Sequence, residues 1–206
     1  MINKYHYWTF KEALSKKTCE DIIKFSKEKN KKIALIGGLE EKKLSKKDIK
    51  NLKQKRNSNI VWLNERWIYN LILPYINTAN KNAGWNYQLN KAESMQFTIY
   101  KKDQHYDWHF DAFPDVYDNH KDKELNGKIR KLSMTVSLTD SKEYKGGDFE
   151  FKVPDGKGNP VIHKCEEVKP QGSIVVFPSY MFHRVTPVTK GERNSLVVWC
   201  VGNPYV

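Results

Sequence analysis

A histidine and an aspartate stand two residues apart in YDWHFDAF, which covers residues 106–113. Side chains at positions i and i+2 of a β-strand point to the same face, so His109 and Asp111 are expected side by side. Trp108 and Phe110 are then expected on the opposite face, in packing contacts. An imidazole beside a carboxylate is either a hydrogen-bonded pair or part of a metal site, and a third ligand decides between them.

The third candidate ligand is His183, which lies in the otherwise apolar segment GSIVVFPSYMFHRVTPVTKGERNSLVVW. Two histidines and one carboxylate make the facial triad of non-haem Fe(II) sites, which leaves coordination positions open for a chelating cosubstrate and dioxygen. We therefore predict that His109, Asp111 and His183 are the catalytic metal ligands. The four other histidines lack a matching carboxylate context and are not expected to bind metal.

Arg193 lies ten residues after His183, across a predicted turn, and Ser195 follows two residues later. Alternation along a strand places them on one face, together with Val197 and Trp199. A guanidinium beside a hydroxyl is a good receptor for a carboxylate. A buried arginine without a partner would be costly, so this pair predicts an anion in the pocket.

Two helical regions precede a run of strands. Residues 10–29 and 64–84 carry apolar residues at helical spacing, and 60–63 is typical of a short strand. From residue 92 onward, turn signals separate short alternating segments. These strands are predicted near 94–101, 105–111, 130–139, 147–153, 161–168, 173–177, 181–186 and 194–201. The order predicts an α+β fold that is mainly β, an antiparallel jelly roll with N-terminal helices packed on one sheet.

The segment KLSMTVSL, residues 131–138, shows how one strand can serve both layers. Its leucine, methionine and valine side chains alternate onto one face, which suits packing against the helices. Ser133, Thr135 and Ser137 alternate onto the other face, where they form a row of hydroxyls. That row is expected to face the pocket.

Composition narrows the class of protein. A chain of 206 residues with 39% hydrophobic residues suits one folded domain and excludes a disordered composition. No apolar run reaches the roughly 18 residues that span a bilayer, and the N-terminus lacks an apolar signal core, so we expect no membrane partner and a cytoplasmic location. Three widely spaced cysteines argue against a disulfide framework or a zinc cluster.

The net charge of +12 raises the question of a nucleic-acid partner. Of the 36 basic residues, 31 are lysine, whereas bidentate recognition of phosphates and bases favours arginine. The first 60 residues hold most of the excess, with 17 basic and 7 acidic residues. A solvated, lysine-rich face is therefore favoured over a nucleic-acid surface.

The segments YDWHFD, RKLSMTVSLTDSKEYKGGDFEF and GSIVVFPSYMFHRVTPVTKGERNSLVVW together resemble the Fe(II)/2-oxoglutarate-dependent dioxygenase superfamily. The nearest branch is prolyl 4-hydroxylase-like, with bacterial and viral members, and the resemblance covers about residues 56–204. It implies a double-stranded β-helix in which His109, Asp111 and His183 match the iron ligands. It makes 1–206 a single domain, with supporting helices, a mobile loop and an edge strand in 1–90 and the jelly-roll core in 91–206.

The resemblance also assigns the 2-oxoglutarate site. Arg193 matches the basic residue that binds the far carboxylate of this cosubstrate, and Ser195 completes that RxS motif. Tyr100 matches a tyrosine whose hydroxyl helps to hold the cosubstrate. Ser137 stands where animal relatives commonly have a tyrosine, and it is predicted as a further cosubstrate contact.

For the substrate, the resemblance implies a proline-containing peptide or protein. Hydroxylation of a C–H bond would be coupled to oxidative decarboxylation of 2-oxoglutarate by O2, with ascorbate as a reductant. Arg130, Trp199 and Tyr106 are the candidate substrate contacts. Residues 37–58, which begin at Gly37 and Gly38, are predicted to close over the peptide, with 113–128 as a second lid.

Two other functions stay open. The first is the same oxygenase chemistry on a nucleobase, a lipid or a free amino acid. Nucleic-acid demethylases of the superfamily usually carry a second arginine after the cosubstrate arginine, and NSLVVWCVG, which follows Arg193, has none. The second is a metal-free jelly-roll binding module, which would be expected to have lost at least one ligand of the triad.

Overall fold

The structure is a computed structural model that describes residues 5–29, 32–33, 45–118 and 120–205. The helices are α1 (Lys16–Lys27), α2 (Lys46–Lys55) and α3 (Arg66–Asn82). The strands are β1 (Trp8–Phe10), β2 (Lys32–Ile33), β3 (Arg56–Asn57), β4 (Asn59–Leu63), β5 (Lys91–Ala92), β6 (Met95–Tyr100), β7 (His105–His109), β8 (Ile129–Ser137), β9 (Lys145–Gly146), β10 (Phe149–Pro154), β11 (Pro160–Lys164), β12 (Ile174–Pro178), β13 (His183–Val185), β14 (Val188–Lys190) and β15 (Arg193–Gly202).

Two antiparallel sheets form the body of the domain. The larger sheet has the order β1-β12-β8-β15-β6-β4-β2, with β5 paired to the end of β15. The smaller sheet has the order β11-β10-β13-β7-β3, and β14 and β9 form a separate pair. The long strands β8 and β15 lie in the middle of the larger sheet, where both of their edges are paired.

The larger sheet is buried on both faces. Ile22 of α1 and Ile68 and Ile72 of α3 pack on one face, against side chains of β8 that include Leu132 and Met134. A second cluster fills the space between the sheets and contains the buried rings of Phe149, Phe151 and Phe177. Each fully buried side chain of this kind stabilises the fold by about 1.5–3 kcal/mol, so both layers hold the strands that carry the site.

Local signals define the helix starts. Ser15 caps α1 by accepting a hydrogen bond from the amide of Thr18, and Ser45 and Asp48 form a reciprocal capping box at the start of α2. None of the helices that the structure describes is both long and apolar enough to span a membrane.

The predicted helix at 10–29 is observed as α1 after the short strand β1, and the predicted helix at 64–84 is α3. The strand at 60–63 is β4, which is not an edge strand, because β2 pairs outside it. The predicted closing segment 37–58 contains α2 and β3, whereas Gly37 and Gly38 lie outside the described residues. The jelly roll with helices on one sheet is confirmed.

The strand expected at 105–111 ends at His109, and this changes the placement of its aromatic residues. Trp108 stacks on the ring of Phe182, with 5.4 Å between ring centroids. Phe110 is 57% exposed, but its ring also contacts Phe182, with 4.6 Å between ring centroids, so both aromatic residues pack against this side chain as expected. Phe110 lies one residue beyond the end of β7, and much of its ring stays exposed to solvent.

Candidate active site

The two histidines of the predicted triad are cross-strand neighbours. β7 pairs with β13 in a register that places His109 directly opposite His183. Their ring centroids lie 4.2 Å apart. The pairing of two strands that are distant in sequence therefore brings the two imidazoles together.

Asp111 joins them from a bend just beyond β7. The amides of Asp111 and Ala112 both donate to the carbonyl oxygen of Ser179, at 3.0 and 2.9 Å. The carboxylate oxygens of Asp111 lie 3.7 Å from Nε2 of His109 and 3.6 Å from Nε2 of His183. One ligand atom from each residue lies within 4.8 Å of the others, so the three can hold one metal ion.

Backbone carbonyls orient both rings. Nδ1 of His109 lies 2.7 Å from the carbonyl oxygen of Asp107, and Nδ1 of His183 lies 2.8 Å from that of Met181. A carbonyl only accepts, so each Nδ1 carries the proton and each Nε2 keeps a free lone pair. Both lone pairs are therefore available to a metal.

Burial lowers the pKa of His109 to about 3, and the adjacent His183 acts in the same direction. His109 is therefore neutral at physiological pH. Burial alone would raise the pKa of Asp111, but the attraction of His183, His109 and Arg130 holds it below its ordinary value. The set is an anionic carboxylate with two imidazoles, which is the donor set of a non-haem ferrous site.

Buried polar atoms without a hydrogen-bond partner concentrate here. In the described part of the chain they are Asp111 Oδ2, Ser137 Oγ, Trp199 Nε1 and Asn194 Oδ1. Such atoms are rare in folded proteins, and three of these four belong to residues that line the pockets described below. Asp111 Oδ2 in particular has the chemistry of a metal-ligand atom, so the residues present suit a metal.

Arg193 lies deep in the same site. It begins β15, is only 2% exposed, and pairs in register with Tyr100 of β6. Its Nη1 donates to Ser195 Oγ at 3.3 Å, and its guanidinium lies 5.5 Å from the ring centroid of Tyr100. Within residues 45–118 and 120–205, no carboxylate lies within ion-pair distance of it. This buried cation suits an anionic ligand.

Gly147 explains how Arg193 fits into this space. Its φ is +61°, and a Cβ at this position would lie 2.9 Å from both Arg193 Cδ and Val188 Cγ2. Any larger residue would therefore clash with the side chains of Arg193 and Val188. A space of about 220 Å³ on this side is lined by Ser137, Gly147 and Arg193, so the Ser137 hydroxyl lies near the predicted anion site.

An open pocket of about 380 Å³ joins the triad to Arg193. Besides the triad, it is lined by Tyr100, Thr135, Ser195 and the two aromatic candidates, Tyr106 and Trp199. Tyr106 stacks on His109 with 3.4 Å between ring centroids, and burial raises its pKa to about 12. The structure thus brings the predicted metal, cosubstrate and aromatic residues to one place.

Arg130 does not line this pocket but contacts Trp199, which does. Its guanidinium lies 4.1 Å from the ring centroid of Trp199. It forms an ion pair with Glu93 at 2.7 Å, and its side chain is 12% exposed. The direct peptide contact expected for Arg130 stays a prediction, and the structure gives this residue a partner that the sequence did not reveal.

Arg56 is a site residue that the sequence analysis missed. It starts β3, is 6% exposed, lines the pocket, and lies 4.4 Å from the ring centroid of Tyr106. It brings a second positive charge to the pocket, which favours an anionic ligand. Its signal was its residue type, because it is one of only five arginines among 36 basic residues.

Histidines outside the triad have other surroundings. His105 Nε2 lies 2.9 Å from the carbonyl oxygen of Gln54, and His163 Nε2 lies 2.6 Å from the hydroxyl of Tyr7. His120 Nδ1 accepts from the amide of Asp122. The triad is the one group of three or more such ligands found in the described ranges.

The buried neutral state of His109 predicts a pH dependence of stability in the metal-free protein. The unfolded chain takes up a proton near pH 6.5, whereas folded His109 resists until about pH 3. The free energy of unfolding is therefore highest above pH 6.5. It decreases as the pH falls toward 3, by up to about 1.4 kcal/mol per pH unit.

Urea unfolding of the metal-free protein between pH 7 and pH 4.5 measures this loss. His109→Asn should reduce the dependence of the free energy of unfolding on pH. An equal slope in wild type and His109→Asn would show that His109 is not the group responsible.

Residues 95–201 match the family model of the 2OG-Fe(II) oxygenase superfamily, where 2OG denotes 2-oxoglutarate. A PKHD-type hydroxylase of Alteromonas mediterranea is 37% identical over 103 residues, which are 50% of this chain and 41% of that protein. A PKHD-type hydroxylase of Hyphomonas neptunium is 41% identical over 91 residues, which are 41% of this chain and 37% of that protein. The chain thus spans about two fifths of the length of these relatives.

Two solved structures share the fold along nearly the whole chain. The viral collagen prolyl hydroxylase of Paramecium bursaria Chlorella virus-1, in its 2OG complex, has a TM-score of 0.64 at 17% identity and is covered to 99%, with 98% of this chain. The Pseudomonas putida prolyl-4-hydroxylase has a TM-score of 0.65 at 18% identity and is covered to 95%, with 98% of this chain. At such low identity these likenesses show the double-stranded β-helix fold.

The segment that matches the family model begins in β6 and ends in β15. It makes up more than half of the chain and includes the triad, Tyr100 and Arg193. The sequence match therefore falls on the same strands that build the pocket. This chain belongs to the 2OG-Fe(II) oxygenase superfamily.

Proposed function

We propose that this protein is an Fe(II)- and 2-oxoglutarate-dependent dioxygenase that hydroxylates prolyl residues of a peptide or protein. The observation that carries the proposal is the shared pocket, in which a buried His-Asp-His triad faces a buried arginine that has no carboxylate partner among the described residues. A metal ligand set and an anion receptor in one pocket suit a chelating, dianionic cosubstrate.

In this proposal His109, Asp111 and His183 hold the iron. Arg193 and the Ser195 hydroxyl bind the far carboxylate of 2-oxoglutarate, and Tyr100 covers the guanidinium. The bound iron, with O2 and 2-oxoglutarate, supplies the oxidising power for C–H hydroxylation, and ascorbate keeps the iron reduced. The side chains bind, orient and exclude water, and none has to act as a general acid or base.

A prolyl substrate is supported by the shape and chemistry of the outer wall. Trp199 lines the pocket, and Trp62, 42% exposed, lies 6.2 Å from it between ring centroids. Tyr106 forms another ring surface beside the triad. Aromatic side chains in a pocket wall can pack against the apolar ring of a prolyl residue. The prolyl hydroxylase names of the structural neighbours agree with this substrate class.

A peptide-library assay tests the proposal. The protein, Fe(II), 2-oxoglutarate and ascorbate are incubated with proline-containing peptides, with the same peptides carrying alanine for proline, and with methylated DNA. We expect succinate formation with a mass increase of one oxygen only in the proline series. Oxidation of the DNA or of the alanine series, with no oxidation of the proline series, would replace the prolyl substrate with another class.

A further inference from the structure

We propose that Glu93 and Arg130 form a buried clamp that positions the metal ligand Asp111, which makes Arg130 a positioning residue rather than a substrate contact. The inference rests on the proposed metal site, because it concerns how one member of the triad is held. It starts from a difference between the three ligands that the fold itself creates.

The pairing of β7 with β13 positions two of the three metal ligands but does not include the third. His109 and His183 are paired in register between β7 and β13. Asp111 lies two residues beyond the end of β7, where no strand pairing holds the chain. On its amide side, Asp111 is anchored to the carbonyl oxygen of Ser179 at 3.0 Å. On its carbonyl side, the partner is Nη1 of Arg130 at 3.3 Å.

Arg130 is itself held by an ion pair and by contacts with two aromatic rings. Its Nε and Nη2 donate to the two carboxylate oxygens of Glu93, each at 2.7 Å. Its guanidinium plane lies 4.1 Å from the ring centroid of Trp199 and 4.8 Å from that of Phe113. The bidentate fork and the two ring contacts restrain the guanidinium, and with it the donor to Asp111.

Glu93 connects the clamp to the rigid core. Its amide donates to the carbonyl oxygen of Trp199 in β15 at 2.8 Å, and its own carbonyl accepts from the hydroxyl of Tyr69 in α3 at 2.8 Å. The hydroxyl of Tyr117 donates to Glu93 Oε1 at 2.9 Å. Asp111 is thus tied, through Arg130 and Glu93, to the central strand and to the long helix.

The low exposure of the pair strengthens the connection. The side chain of Arg130 is 12% exposed and that of Glu93 is 11% exposed, so water screens the pair poorly. Loss of one partner leaves a charge in a dry environment and frees the guanidinium to move. Groups that orient metal ligands typically change metal affinity about 10- to 100-fold when they are replaced.

Mn(II), a redox-inert probe, tests the clamp through its affinity for the full chain, measured by electron paramagnetic resonance without turnover. Glu93→Gln keeps the size of the side chain but removes its charge, and we expect Mn(II) binding about 10-fold weaker or more. Arg130→Gln should weaken it similarly. Mn(II) binding by the double variant should be no weaker than binding by the more strongly affected single variant. The reason is that both substitutions break the same connection from Glu93 through Arg130 to Asp111.

Tyr117→Phe is the matched control. It removes one hydrogen bond to Glu93 and leaves the fork to Arg130 intact, so Mn(II) affinity should stay within about threefold of wild type. If either single variant unfolds because of its unpaired buried charge, the double variant, which buries no charge, gives the result. Wild-type Mn(II) affinity in a folded double variant would overturn the clamp.

Peptide kinetics separate the two roles of Arg130. A positioning role predicts that Glu93→Gln and Arg130→Gln change Mn(II) affinity in parallel while the KM for peptide stays near wild type. A peptide contact predicts a raised KM for Arg130→Gln alone, with Mn(II) affinity unchanged, and would refute the inference. If His183→Ala binds Mn(II) as tightly as wild type, the proposed metal site fails instead.

Discussion

Asp111→Ala is expected to abolish succinate formation while the protein stays folded. The carboxylate supplies the only negative charge of the triad, and without it two imidazoles alone must hold a dication. Replacing groups that merely orient a ligand costs about 10- to 100-fold, so loss of the ligand itself should exceed about 100-fold in kcat/KM. Succinate release and Mn(II) affinity should fall together.

His109→Ala and His183→Ala should behave in the same way, and His105→Ala provides the matched control. His105 lies on the same strand as His109 but bonds to the carbonyl oxygen of Gln54, away from the pocket. Normal succinate formation by Asp111→Ala, with wild-type circular dichroism, would refute the metal assignment. A comparable loss in His105→Ala would point to general damage to β7.

Arg193→Met is expected to have effects of opposite sign on cosubstrate binding and on stability. Loss of the buried cation removes the partner of the far carboxylate and should weaken the binding of 2-oxoglutarate by about 2–5 kcal/mol. The KM for 2-oxoglutarate should therefore rise about 30-fold or more. The metal-free protein should become more stable, because a buried charge without a carboxylate partner among the described residues is replaced by an unbranched apolar side chain.

Measurement of thermal stability distinguishes an arginine that binds a ligand from one that supports the fold. Thermal unfolding without cosubstrate should show a higher Tm for Arg193→Met than for wild type, and addition of 2-oxoglutarate should raise Tm only in wild type. Arg193→Lys keeps the charge but loses the fork, so its KM should fall between the two. A lower Tm with an unchanged KM would make Arg193 a structural residue.

The parts of this protein that were predictable from sequence rest on local patterns. β8 alternates apolar and hydroxyl side chains, and the structure places Leu132 and Met134 against the helices and Thr135 at the pocket. The triad and Arg193 were predictable from residue type and spacing, because few side chains can hold a metal or an anion in apolar surroundings. The match to the 2OG-Fe(II) oxygenase superfamily covers residues 95–201, which include the triad and Arg193.

The remainder depended on contacts between segments far apart in the chain. Asp111 was expected on the strand, but the ladder ends at His109, since β13 offers only three residues for pairing. The partnership of Glu93 with Arg130 spans 37 positions and leaves no local pattern. Arg56 had a signal in its rarity, because three of the five arginines lie at or behind the pocket.

The pairing of His109 with His183 has a consequence for the chain as a polymer. An ion bound by both residues would tie together segments more than seventy positions apart, across the seam between β7 and β13. It would close a long loop in the folded chain, and because the site forms only on folding, the ion would stabilise the native state by mass action. The three cysteines are all free, so such a metal-closed loop would be a cross-link that the chain's own thiols do not provide.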